Sequence, residues 1–257
     1  MLGRFAAPAL DCMPGAKRAQ AACGSFVNST GNTGRYAGAL YVATSILGVF
    51  AMIYVPSKLV VHNDATATAA NVLAHETLWR LAVGAQLVGE VGFIFVALAL
   101  YELLKGVNRR AALWMVILFV VSVPISILNE LNSAAALALF RGADYLGVLD
   151  KVQRDALGML FVNLHFRGLG IAQLFWGLWL FPLALLVYRS RFLPRFIGVW
   201  LALGGVGNVM LSLADVTFPS LQHVAGVFSQ WANLGEIVFM FWLLIRGARP
   251  PVQNAGP

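Results

Sequence analysis

Charge is what this sequence has least of. Only 11% of its 257 residues are Asp, Glu, Lys or Arg, against about 25% in an ordinary soluble domain, while 60% are hydrophobic. That shortage excludes a water-soluble globular chain before any motif is considered. Cysteine is nearly absent too: Cys12 and Cys23 both stand in the first 34 residues and say little about redox compartment. Those 34 residues contain no apolar run of signal-peptide length, and Ala21-Ala22-Cys23-Gly24 has no apolar segment before it, so it is not read as a lipoprotein cleavage box. The segment is expected to be a disordered cytoplasmic tail. A Gly-rich phosphate loop, a Ser-His-Asp arrangement, an HExxH spacing and a helix-interior pair of histidines are all missing. Their absence argues against nucleotide hydrolysis and a cytochrome b-type role, and no cofactor is expected. The net charge of +7 resides in short loops between apolar stretches and not along one face, so no nucleic-acid partner is expected.

What is present is a series of long apolar runs. The stretch from Trp79 to Lys105 shows their character. Between Arg80 and Lys105 lie 24 residues, roughly 36 Å of helix, enough to cross a hydrocarbon core of about 30 Å with some tilt. Glu90 falls near its middle, with Gln86 one turn away on the same face. A carboxylate there costs several kcal/mol unless it is paired, protonated or in a wet cavity, so it must face a bundle interior. Ala82, Ala85, Gly89 and Gly92 form a stripe of small residues beside it, a surface on which a second helix packs closely.

This stretch recurs. Displaced by 87 residues, Arg80 to Tyr101 matches Arg167 to Tyr188 at 7 of 22 positions, with Gln86 falling on Gln173. Displaced by 146, Val88 to Leu100 matches Leu234 to Arg246 at 5 of 13, with Glu90 falling on Glu236. The reading is an internal repeat. Six spans are predicted: 36–55, 79–104, 111–139, 168–188, 196–213 and 224–245, the third containing Pro124. Twelve of the 18 Lys and Arg residues fall on the side of the two termini, and the loop acids Asp64, Glu76, Asp144, Asp150, Asp155 and Asp215 on the other. This bias puts both termini in the cytoplasm. The expected fold is all-α: a polytopic transmembrane bundle of three repeated parallel hairpins over residues 35–247, between the tail 1–34 and a short cytoplasmic C-terminal tail 248–257. The expected location is a bacterial inner membrane, with the lipid bilayer as partner.

Chemistry has four candidate places. Gln86, Glu90, Glu130, Gln173, Asn208, Asn233 and Glu236 are carboxylates and amides inside spans; they read either as a polar cavity for a proton or small molecule, or as hydrogen bonds that hold helices together. Gly204, Gly205 and Gly207 mark either a broken helix or a close-packing surface, with packing the commoner case. His75, His165 and His223 each precede the second helix of a hairpin on the outer side and would make a metal site if they converged there. Arg80 and Arg167 open the repeated helices, either snorkelling to headgroups or capturing an anion.

From Arg35 to Gly247 the chain also resembles a known family. Ser57-Lys58-Leu59, Asp64-Ala65 running through Asn71 to Arg80, Arg189-Ser190 with Pro194 and Gly198, and Gly235-Glu236 followed by Trp242 to Gly247 carry the likeness. The family is a bacterial six-helix integral-membrane group catalogued only as a domain of unknown function, the domain-of-unknown-function 4386 family. The resemblance implies six membrane helices and no activity. Members carry His near the middle of the fourth helix where this sequence has Trp179, so it implies no buried-His mechanism here. The leading functional expectation is small-molecule or proton-linked transport. The alternatives are a metal-dependent enzyme acting on lipid at the outer face, and a structural or regulatory membrane subunit. Six spans are few for a transporter, so a homo-oligomer is expected.

Overall fold

The computed structural model describes residues 15–248, with side chains from residue 32 onward. Most of the predicted C-terminal tail and the first 14 residues of the predicted N-terminal tail lie outside the described residues. The fold is helical, with no strand among the described residues. Eight α-helices follow in order: α1 Gly15–Val49, α2 Val55–Leu59, α3 Ala65–Ala74, α4 Glu76–Leu104, α5 Arg109–Arg141, α6 Lys151–Arg189, α7 Arg195–Thr217 and α8 Gln222–Arg246. The boundary drawn at residue 34 therefore falls inside α1. Six stretches are long and apolar enough to cross a bilayer: Asn32–Leu59, α4, α5, α6, α7 and α8.

The six form a closed ring in chain order. Each packs on the spans before and after it, and α8 returns to α1. The connections from α4 to α5, α6 to α7 and α7 to α8 are only a few residues long, which forces neighbours to be antiparallel and brings the two ends of the bundle onto one face. Glycines set the closest approaches. A Cβ on Gly38 would lie 2.4 Å from the Leu244 backbone nitrogen, and one on Gly34 2.6 Å from that of Ala248, so only glycine closes the ring there. Gly92 of the predicted small-residue stripe presses on Thr44 of α1.

Apolar side chains point outward as well as inward. Leu81, Val88 and Phe95 of α4, Leu128 and Leu131 of α5, and Trp231 of α8 are all exposed. Buried Gln86, Glu90, Glu130 and Asn208 lie inside. Polar groups within an apolar coat suit lipid as solvent and make no sense in water.

Two expectations need correction. The fourth span does not begin at Gly168 but 17 residues earlier, because Asp150 and Gln153 form a capping box that starts α6 before its charged first turns. At 39 residues α6 is about 58 Å long, so with the end of α5 it extends past a bilayer on the face opposite the termini. His165 is consequently in a helix and not in a loop. Second, the first connection is not bare loop: it holds α3, capped by Asp64, whose carboxylate accepts from Ala67 N at 2.8 Å. Of the two readings of Gly204, Gly205 and Gly207, the broken helix does not hold: α7 runs unbroken through them. A Cβ on Gly205 would lie 2.9 Å from Gly177 O, and one on Gly207 2.9 Å from Ser229 Cα, which is the close-packing reading. Pro124 sits within a continuous α5.

The first span has its own irregularity. Phe50–Tyr54 is π-helical, between α1 and α2, and Val55 N donates to Phe50 O. Pro56 explains it: lacking an N–H and crowding the carbonyl four residues back, at Met52, it cannot continue an α-helical ladder. The widened turn puts Gly48 and Met52 on the wall of the cavity described next.

Candidate binding cavity

A cavity of about 320 Å³ opens inside the ring. All six spans reach it: Thr44, Gly48 and Met52 from the first span, Gln86, Gly89, Glu90 and Phe93 from α4, Phe119 from α5, Gln173, Trp176 and Trp179 from α6, Asn208 from α7, Asn233 and Glu236 from α8. Six of the seven predicted cavity residues are thus on one wall. The matched pairs Gln86 and Gln173, and Glu90 and Glu236, face the same space. Counted at about 1.5 Å per residue from the terminal face, Glu90, Asn208 and Asn233 stand roughly 20 Å up their helices, near the bilayer midplane.

The polar groups divide into saturated and unsaturated. Asn208 Oδ1 accepts three hydrogen bonds, from Gln173 Nε2 at 3.2 Å, Ser229 Oγ at 2.8 Å and Asn233 Nδ2 at 3.0 Å. One amide oxygen therefore ties α6 and α8 to α7. The Tyr41 hydroxyl of α1 donates to Glu236 of α8 across the ring closure. On α4, Gln86 Nε2 donates to Glu90 Oε1 at 3.2 Å, but Gln86 Oε1 and Glu90 Oε2 have no partner, although each residue is only 6% exposed. Asn233 Oδ1 is unpartnered as well. Orphaned buried polar atoms cost roughly 1–3 kcal/mol each.

Glu130 is not on that wall. It lies in a smaller hollow toward the non-terminal face, with Trp79, Ser133 and His165; Gln86 and Met52 border both spaces. Asn129 Nδ2 donates to His165 O at 2.8 Å and approaches His165 Nδ1 at 3.2 Å, and Ser133 Oγ lies 3.1 Å from that same nitrogen. Glu130 Oε1 lies 3.8 Å from the same nitrogen and has no hydrogen-bond partner.

The three predicted metal histidines do not come together. His75 is exposed at the end of α3, His223 is exposed at the start of α8, and His165 is half-buried against α5. Among the described residues no group of three or more His, Cys, Asp or Glu is placed to hold a metal ion. Arg80 is exposed and paired with Glu76 at 2.7 Å. Arg167 borders an outer hollow with Asp215 and Gln222, which shares Met52, Gln173 and Trp176 with the central cavity.

Sequence reasoning missed Tyr41 and the aromatic wall of Phe93, Phe119, Trp176 and Trp179. Tyr41 carried one signal, a hydroxyl within a membrane span, since a buried Tyr O–H needs a partner. The aromatic residues carried none, because in an apolar span they look like any lipid-facing or core residue.

Fold and site together define a polytopic helical membrane protein with a polar cavity in its centre. The chain belongs to the family described as "Domain of unknown function (DUF4386)", whose model matches residues 36–247. It is 26% identical over 156 residues to an uncharacterized protein of Archaeoglobus fulgidus, covering 61% of this chain and 77% of that protein. No solved structure matches it.

Proposed function

We propose that the protein binds a small polar or charged solute in the central cavity and carries it, or protons, across the membrane. The observation that supports this is the pair Gln86 Oε1 and Glu90 Oε2, buried at mid-span with no hydrogen-bond partner on the wall of a 320 Å³ void. Polar residues that served only to join helices would be paired, as Asn208 is. Access is also unequal. Toward the terminal face the ring is filled by Leu100, Leu104, Met115, Leu183, Ile197, Leu201 and Leu243, all fully buried. On the other side the cavity shares walls with the outer hollow. A site closed to one face and approached from the other is what alternating access requires of each end state. The reading takes the terminal face as cytoplasmic, on the Lys and Arg bias, and the hairpins as repeats, with Gln86 and Glu90 of one echoed by Gln173 and Glu236 of the others. Six spans per chain suit a homo-oligomer.

A helix-joining, structural role has its own support in the Tyr41–Glu236 contact and the Asn208 cluster. The two readings separate in purified protein reconstituted into liposomes under an imposed pH gradient. Transport requires wild type to move protons, alone or with a candidate solute, and Glu90→Gln or Glu236→Gln to stop that movement while remaining folded. Equal behaviour of wild type and both variants, with no flux of any solute tried, would leave the structural role.

A further inference from the structure

Resting on the cavity reading above, we propose that the occupant is a monovalent organic cation: a primary ammonium group on a compact apolar body. Three features of the wall converge on that chemistry. The first is charge. The wall holds two carboxylates, Glu90 and Glu236, and no Lys, Arg or His. The second is the direction of its hydrogen bonding. Several of its amide donors are turned inward: Gln86 donates to Glu90, and Gln173 and Asn233 donate to Asn208. The polar atoms of the wall that are buried without a partner are all oxygens: Gln86 Oε1, Glu90 Oε2 and Asn233 Oδ1. An ammonium brings three donors and no acceptor, the complement of those oxygens, whereas a carboxylate or phosphate would meet two carboxyl groups and no positive charge.

The third feature is aromatic. Phe93, Phe119 and Trp179 are stacked and edge-packed in a run, with centroids 5.4 Å apart for Phe93 and Phe119 and 5.3 Å for Phe119 and Trp179, and Trp176 completes the side. Aromatic faces attract cations and give an apolar body a surface to rest on. A bare metal ion would leave that surface unused and would need more oxygen ligands than the three unpartnered ones supply. The volume lies at the small end of ligand sites, which suits an amine with a single ring or short alkyl body.

The test is calorimetric titration of the full-length protein in detergent micelles with three probes of one shape: phenethylammonium, 2-phenylethanol and phenylacetate. The ammonium is expected to bind saturably, the alcohol about tenfold or more weaker, and the carboxylate not at all. Glu90→Gln should weaken the ammonium by about tenfold and leave the alcohol unchanged. If that variant is not monodisperse, Trp176→Leu serves in its place, with the same loss expected for the ammonium. Equal binding of ammonium and alcohol overturns the cation assignment but keeps a binding cavity. Binding of none of the probes overturns the assignment; if proton flux in liposomes persists, the transport reading survives it, and if flux is also absent both fall.

Discussion

Removing the Tyr41 hydroxyl tests the ring closure at a buried polar contact. Tyr41 is 1% exposed, and its hydroxyl donates to Glu236 from across the α1–α8 seam. Tyr41→Phe keeps the ring, which packs edge-on to Phe93 at 5.2 Å and to Phe239 at 6.4 Å, so the cost isolates the hydrogen bond. Interhelical hydrogen bonds in membrane proteins average about 0.6 kcal/mol and reach about 1.7 kcal/mol. A bond to a carboxyl group buried without another partner belongs toward the upper end, about 1.5–3 kcal/mol by the figures for charged acceptors. The expected loss is therefore about 1.5 kcal/mol, a roughly tenfold change in the unfolding equilibrium. The assay is a double-mutant cycle: unfolding of wild type, Tyr41→Phe, Glu236→Gln and the double variant in mixed micelles. Once Tyr41 is gone, Glu236→Gln should cost less than it does in wild type, with a coupling above about 0.5 kcal/mol. Additive losses, with coupling indistinguishable from zero, would show that the two side chains do not meet and that packing alone closes the ring.

Three further outcomes follow from the same geometry. Gly38→Leu should prevent α1 from seating on α8, costing several kcal/mol or abolishing a monodisperse fold on size exclusion, while Gly48→Ala, with nothing within 4 Å of its Cβ position, should be neutral. Asn208→Leu strands the donors of Gln173, Ser229 and Asn233 and should destabilise by about 2–5 kcal/mol in the same unfolding assay, well beyond the effect of losing any one donor. Asp150→Ala removes the capping box and should cost about 1 kcal/mol, with faster amide exchange confined to the first turns of α6 and no change at the cavity.

Much of this architecture was legible in the chain itself. Six runs of apolar residues, each longer than a soluble core helix needs, admit one solvent, and the placement of Glu90 and Glu236 at mid-span admits one direction for those side chains, inward. That inference from desolvation cost reached six of the residues that share the cavity wall without any knowledge of which helix adjoins which. Where the reading failed, the signal was local but outweighed. Lys151, Arg154 and Asp155 give the start of α6 the polarity of a loop, although the Asp150 to Gln153 spacing marks a helix start. His165 went to the wrong environment for the same reason.

Other properties had no representation in one dimension. Hydropathy fixes how far each helix inserts but not its neighbours or its rotation about its own axis, since lipid and helix interior are equally apolar. The order of the ring, the meeting of Tyr41 with Glu236, and the four aromatic side chains turned onto the cavity were decided by close packing at Gly34, Gly38, Gly92, Gly205 and Gly207. The same holds for which polar atoms end up without partners. Gln86, Asn208 and Asn233 are alike as sequence, amides in apolar helices; only the arrangement of neighbours saturates one oxygen three times and leaves another buried without a partner.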